Sequence, residues 1–295
     1  MILVTGATGF IGPKIVHALR AEDRAVRCLV RSPGRAAQLG SWGCELAEGD
    51  VTDAESLRRA VDGCSAVIHL VAIIQGEPAD FERLMIRGTE DLVAAAREAG
   101  AGRFVLMSAL GASAETKDLV PYYGAKWAME QAVAGSGLEH VIFRPSFVFG
   151  RDGGVLPTFV RLVRWAPVIP VIGPGTQQLQ PIWVDDVASF FCRAVEEPRA
   201  ANRMFEIGGP NAVTWDGLYD RICAVLGKRK PKLHVPFALA RVNAALLEAL
   251  PGPTPLTRDQ VTMLGAGDNT CDNGPALDVF GLELVPLNEQ LRRAA

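Results

Sequence analysis

The chain has 295 residues, enough for one large α/β domain or two lobes, and it can bury about three quarters of its unfolded surface without disulfide or metal staples. With 49% hydrophobic and 21% charged residues it has the composition of a folded globule, which excludes disorder as the main state. The formal net charge is −3, so no basic field exists to hold a phosphodiester backbone, and no nucleic acid is expected as a partner.

Taken in chain order, the first strand is expected at Ile2–Thr5. Thr5-Gly6-Ala7-Thr8-Gly9-Phe10-Ile11-Gly12 follows directly and opens a helix with Ile11, Ile15, Val16 and Leu19 at helical spacing. In a GxxGxxG turn at this place Gly6 permits the tight turn, Gly9 the close approach of backbone to a pyrophosphate, and Gly12 close helix packing. Thr8, Phe10 and Ile11 line the same loop. The alternative is a glycine-rich strand-to-helix turn with no ligand. A second strand, Val26–Val30, ends in Arg31 rather than in the acid that usually holds the ribose 2′-hydroxyl of NAD. Arg31-Ser32-Pro33-Gly34-Arg35 sets two guanidinium forks where a 2′-phosphate would lie, which points to NADP(H), with NAD(H) as the alternative. A solvated arginine pair is the blander reading.

A third strand, Cys44–Ala47, leads into Gly49-Asp50-Val51, where an adenine ring would rest. Asp50 either accepts from the adenine amino group or caps a helix together with Thr52 and Asp53. The fourth strand, Ala66–Leu70, contains His69, read as a core histidine. A helix carrying Leu92, Val93 and Ala96 separates it from the fifth strand, Phe104–Met107, which ends at Ser108. Ligands bind at the carboxyl edge of such sheets, so Ser108 is a candidate for orienting a substrate oxygen. A satisfied turn serine is the alternative, and Ser113 competes in the same loop. Pro121 suits a first helical turn. In Pro121-Tyr122-Tyr123-Gly124-Ala125-Lys126 it places Tyr122 and Lys126 on one face. A lysine ammonium beside the phenol is expected to lower the pKa of Tyr122, which would exchange a proton with a carbonyl or alcohol. Tyr123 is expected to be solvated or to pack on Trp127. The sixth strand is expected at His140–Phe143. Apolar strands alternating with helices predict a doubly wound parallel sheet of Rossmann type over residues 1–150.

Beyond Gly150 proline and glycine thicken, and residues 151–295 read as a smaller mixed α/β substrate lobe with pieces returning to the sheet. A helix is expected at Val184–Glu196 and an extended piece at Met204–Ile207. Another helix, Gly217–Leu226, is capped by Thr214, and an apolar helix is expected over Val235–Leu250, ending at Pro251-Gly252-Pro253.

These pieces together resemble the short-chain dehydrogenase/reductase superfamily in its extended or atypical branch. The resemblance rests on Thr5–Gly12, Gly49-Asp50-Val51, Val67–Ala72, Gly88-Thr89, Ser108, Tyr122 with Lys126, and Arg144-Pro145-Ser146. Within the branch the chain is most similar to the family of a respiratory complex I accessory subunit and its bacterial relatives. That narrower likeness is carried by Ser108–Ala112, Phe143–Gly150, Gln180–Ala188 and Pro255–Val261. The resemblance implies an NAD(P)-binding Rossmann domain with a C-terminal substrate lobe. It adds Val71, Ala72 and Pro145 to the cofactor contacts and makes Lys126 a holder of the nicotinamide ribose. It departs at Met85, where the superfamily has an asparagine in its proton relay, and at Phe147 and Gln180, where nucleotide-sugar epimerases carry Asn and Arg. Phe147, Phe159, Trp165 and Trp183 point to an apolar pocket or, each taken singly, to core packing.

The expected activity is hydride transfer between the nicotinamide and an apolar or quinone-like carbonyl or alcohol, with Tyr122, Lys126 and Ser108 as catalytic residues. The alternative is a non-catalytic NADPH-binding subunit of a larger, respiratory-type assembly. Six cysteines without a CxxC pair and four scattered histidines predict no metal site and buried thiols in a reducing compartment. The N-terminus shows no basic region of a signal peptide, and the longest uncharged stretch, Trp165–Val184, holds four prolines. A cytoplasmic protein is therefore expected, with a small-molecule substrate and with protein assembly or peripheral membrane contact as further partners. The run Lys228-Arg229-Lys230-Pro231-Lys232 is read as a solvated loop that an acidic partner or a lipid headgroup can use.

Overall fold

A computed structural model describes residues 1–249 and 254–295. Its centre is a seven-stranded sheet built from β1 (Ile2–Thr5), β2 (Val26–Val30), β3 (Glu45–Glu48), β4 (Ala66–His69), β5 (Arg103–Met107), β6 (His140–Pro145) and a seventh strand, Arg203–Ile207. Every pairing is parallel, in the order Arg203–Ile207, β6, β5, β4, β1, β2, β3. The chain steps outward from β1 to β3, then restarts beside β1 with β4 and builds the other way. This reversal opens a crevice at the carboxyl ends of β1 and β4, where open α/β sheets take their ligands.

Alternation along each strand divides the core in two. Ile2 and Val4 of β1, Ile68 of β4, Val105 of β5 and Phe143 of β6 face one layer, with Ile15 and Leu19 of the helix Gly12–Ala21 and Phe190 and Phe191 of the helix Val184–Ala194. Leu3, Val67, Phe104 and Ile142 face the other, against helices Ala54–Val61, Gly88–Glu98 and Pro121–Ala134. Strands buried on both faces are the reason they read as unbroken apolar runs. The extended piece expected at Met204–Ile207 is thus the edge strand beside β6, and the Val184–Ala194 helix covers the sheet rather than the lobe.

The lobe has its own core, with Phe149, Leu156, Val171, Trp183, Trp215, Leu218 and Leu287. Thr214 caps the helix Trp215–Val225, its Oγ1 accepting from the Gly217 N–H at 3.0 Å. The helix expected from Val235 begins at Phe237, because Lys232–Val235 is a strand paired in parallel with Ile169–Ile172. The expected end of that helix, Leu250 to Pro253, lies outside the described residues. Cys44 precedes β3 instead of opening it. All six cysteines are free, and Cys271 is only half-buried, unlike the other five.

Candidate functional site

The loop after β1 is shaped by glycine. Gly6 has φ +75, and a Cβ there would lie 3.0 Å from the Leu70 carbonyl carbon and 3.1 Å from the Val71 nitrogen, so the loop runs against the segment holding Val71 and Ala72. At Gly12 a Cβ would stand 2.4 Å from the Gly6 oxygen, inside the loop itself. Gly9 is different: its nearest neighbour would be the Gly6 oxygen at 3.3 Å, and Thr8 and Gly9 are exposed. Ile11 stands at the helix N-cap, where no side chain bonds the first N–H groups. A turn with open backbone and an uncapped helix start fits an anion. The Phe10 ring is seated in Gly150, Gly153 and Gly154, where a Cβ at any of the three would approach it to 2.3–2.9 Å. This cradle ties the loop to the beginning of the lobe.

Arg31 and Arg35 are both exposed, just beyond β2. Asp50 Oδ1 accepts from the Thr52 amide at 2.9 Å and from the Thr52 hydroxyl at 2.8 Å. The cap of the helix Ala54–Val61 is Asp53, which accepts from the Glu55 N–H. Asp50 therefore shapes the turn without being the cap, and Val51 is buried beneath it against Gly88.

Across the crevice, the helix Pro121–Ala134 starts beside the end of β5. Lys126 is buried, and its Nζ donates to the Met107 oxygen at 2.6 Å. Burial pulls its pKa down to about 7, while Glu130 one turn later opposes the shift. The same Nζ lies 5.9 Å from the centre of the Tyr122 ring. The pKa of Tyr122 is pushed up, first by burial and then by Tyr123, not down as the sequence led us to expect. Desolvation of the phenolate outweighs the attraction of an ammonium whose proton points at a backbone oxygen. Tyr123 is buried over Gly111 with Ala112 and Val120, not against Trp127. Ser108 follows Met107, and its buried Oγ has no hydrogen-bond partner. An orphaned buried hydroxyl is costly and asks for a ligand atom. Pro145 is buried at the end of β6, where its oxygen accepts from the Leu110 N–H at 2.9 Å.

Two networks behind the site were not anticipated. The His69 ring, fully buried, is 2.6 Å from Thr5 Oγ1 and 3.0 Å from Thr89 Oγ1, and Thr89 donates to the Met85 oxygen at 2.5 Å. Since Thr89 spends its proton on Met85, His69 Nε2 is the donor to Thr89 and Nδ1 accepts from Thr5. Burial, helped by repulsion from Lys126, drops the His69 pKa to about 3. Below about pH 6.5 an unfolded imidazole takes up a proton that the folded ring refuses, so stability falls with pH from there to about 3. His69→Gln is expected to flatten this fall by about 1.4 kcal/mol per pH unit, one proton's worth, as measured by denaturant unfolding at pH 7, 6 and 5. Equal slopes in parent and variant would refute the assignment. The second network is a bidentate pair, Arg144 to Glu130, at 2.8 and 2.7 Å, with Glu130 fully buried one turn from Lys126. The one sequence signal for the first network was the pair Gly88-Thr89, and for the second Arg144 in the same resemblance. Neither revealed its partner.

The aromatic residues expected to line a pocket divide. Phe147 and Phe159 pack edge-on against Trp215 in the lobe core, at 5.6 and 5.7 Å. Trp183 is buried and donates to Asp185, whereas Trp165 stands 78% exposed. Gln180 bonds the Gly209 oxygen and the Cys271 amide, so its amide is used up in holding the lobe to the edge strand. Among the described residues no group of three His, Cys, Asp or Glu is placed to hold a metal, and no helix is long and apolar enough to cross a membrane.

The family model of NAD dependent epimerase/dehydratase proteins matches residues 2–208. The chain belongs to this family. The epimerase/dehydratase match spans both the Thr5–Gly12 loop and the Tyr122–Lys126 helix, ending just after the edge strand. Among curated relatives, the chain is 28% identical to the mitochondrial NADH dehydrogenase [ubiquinone] 1 alpha subcomplex subunit 9 of Rattus norvegicus, across 98% of this chain and 79% of that one. It is 32% identical to a ceramide reductase of Caulobacter vibrioides, across 65% and 61%. The fold is that of an NADPH-dependent quinone oxidoreductase of Escherichia coli, solved with NADPH, at TM-score 0.81 and 21% identity, covering 99% and 98%. A nicotinamide dinucleotide is thus this epimerase/dehydratase-family chain's cofactor class.

Proposed function

We propose that this protein is an NADP(H)-dependent reductase acting on an apolar carbonyl, ketone or quinone, with the nicotinamide supplying or accepting the hydride. Tyr122 Oη would give its proton to the carbonyl oxygen as that oxygen gains charge, and Ser108 Oγ would donate a hydrogen bond to the same atom. Lys126 would hold the nicotinamide ribose and balance the charge left on the phenol. A phenol that keeps its proton is suited to donation, hence to the reducing direction. The observation that carries the reading is the buried, unpartnered Ser108 Oγ, one residue beyond the carbonyl that holds Lys126. The quinone oxidoreductase and the ceramide reductase support carbonyl chemistry on apolar substrates. Watching NADPH absorbance with a panel of quinones, ketones and long-chain aldehydes tests it. Tight binding without oxidation by any acceptor would overturn it in favour of a non-catalytic subunit. The specific support for that second reading is Met85: it is fully buried, its thioether relays no proton, and its carbonyl is already bonded by Thr89.

In this reading Arg31 and Arg35 face the 2′-phosphate, and Asp50 Oδ2 accepts from the adenine amino group. NADPH is expected to bind at least about tenfold more tightly than NADH, or about 1.4 kcal/mol. Arg31→Asp is expected to reverse the order, since a carboxylate repels phosphate and accepts from a ribose hydroxyl. Fluorescence titration of the nicotinamide measures both. Equal affinities in the parent would remove the arginines from the site.

A further inference from the structure

We propose that the face formed by the Lys228–Lys230 loop, the strand Lys232–Val235 and the helix Phe237–Glu248 docks on a bilayer surface containing anionic lipid. The first observation is exposed apolar area. Leu239, Val242 and Leu246 are 52%, 57% and 64% exposed, and at 100° per residue they fall within about 60° of one another on the helix. Ala240 and Ala244 on the opposite side pack against Val261. Leu233, 59% exposed, sits beside the exposed Pro170 in the paired strands leading to this helix. Lys230 Nζ donates to the Ala166 oxygen, which brings the basic loop next to the exposed Trp165.

The second observation is charge. Residues 221–247 hold six Lys or Arg and no Asp or Glu, in a chain whose net charge is −3. Lys232 is neutralised by Asp220 at 2.8 Å. Lys230 and Arg241 bond only a backbone oxygen and the Thr262 hydroxyl, and Lys228 and Arg229 are exposed with no ion pair among the described residues. The face of Leu239, Val242 and Leu246 carries no charge, and the strand Lys232–Val235 joins its helix to a loop of unneutralised cations beside a tryptophan, a combination that an interface of headgroups and acyl chains accommodates. A second copy of this chain is a poor occupant, because a two-fold pairing of the face would bring the same free cations together.

The test is co-sedimentation of the full chain with phosphatidylcholine vesicles, with and without phosphatidylglycerol. Binding is expected only with phosphatidylglycerol and is expected to weaken as salt is raised. The triple variant Leu239→Ser, Val242→Ser, Leu246→Ser and the double variant Lys228→Glu, Arg229→Glu should each reduce partitioning at least tenfold. Both sets are exposed and distant in sequence from the dinucleotide residues, so NADPH affinity should not change and reports that the variants are folded. The proposal does not depend on the reductase reading, whose failure would appear as absent turnover with vesicle binding intact. Failure of the parent to bind anionic vesicles, equal binding by the variants, or a concentration-dependent dimer that the serine variant abolishes would each overturn it.

Discussion

Tyr122→Phe is expected to lower turnover by about 10²–10⁴-fold, the usual contribution of a positioned proton donor, while NADPH affinity hardly changes. The phenol lies beside Lys126, whose Nζ is 5.9 Å from the ring centre, while the carboxylate next to that lysine, Glu130, is already paired with Arg144; the ring itself remains to pack against its neighbours. Lys126→Met is expected to damage both turnover and NADPH affinity, since Nζ serves the ribose and the charge on the phenol together. It also removes the N–H that the buried Met107 oxygen accepts, so a thermal melt of this variant separates lost stability from lost binding. Tyr123→Phe is the comparison variant: its hydroxyl lies over Gly111 and has no part in the proposed proton transfer. Steady-state kinetics with any acceptor the parent turns over, alongside fluorescence titration of NADPH, reads all three. A Tyr122→Phe enzyme within two- or threefold of the parent would remove the phenol from the mechanism.

Gly9→Val is expected to abolish binding of NADPH and NADH alike and to leave the fold intact. The structure makes the two halves of this statement separable. Nothing but the Gly6 oxygen, at 3.3 Å, lies near a Gly9 Cβ, so the turn takes the side chain with a shift of a few tenths of an ångström, and the side chain then occupies the path of the pyrophosphate. Gly12→Val is the contrasting variant. A side chain there would collide with the Gly6 oxygen and Ala7 backbone, so it should lower the melting temperature as well as the affinity. Calorimetry and titration distinguish the pair. A folded Gly9→Val protein that binds NADPH like the parent would show that this loop is only a turn.

Much of the sheet was legible along the chain because burial on both faces leaves a local mark. Val26-Arg27-Cys28-Leu29-Val30 and Phe104-Val105-Leu106-Met107 are nearly continuous apolar runs, and the glycines of Thr5–Gly12 answer a steric need within eight residues. The spacing of Tyr122 and Lys126 is likewise local, since a single helix sets it. Each of these features is decided by neighbours close in sequence, and a sequence displays them.

The tertiary structure decided what depends on distant partners. The end of β5 pointed to Ser108 ahead of Ser113, and packing supplied the physical difference between them: the Ser108 hydroxyl is buried without a partner, whereas Ser113 is engaged by Thr116. His69 lies 64 residues from Thr5 and 20 from Thr89, and nothing in its own segment tells which hydroxyls meet its ring. The pKa of Tyr122 moved opposite to expectation because desolvation is a property of the packed crevice, while the attraction of Lys126 could be read from helical spacing alone. Trp165 and Trp183 look alike as aromatic residues, yet one is exposed and the other buried, since each side chain's environment is set by elements far along the chain. Chain order and local sterics determined the Thr5–Gly12 loop and the Pro121–Ala134 helix. Which side chains keep water, which lose it and which are left unpaired was settled by long-range packing, because the cost of desolvation exists only once the layers have closed.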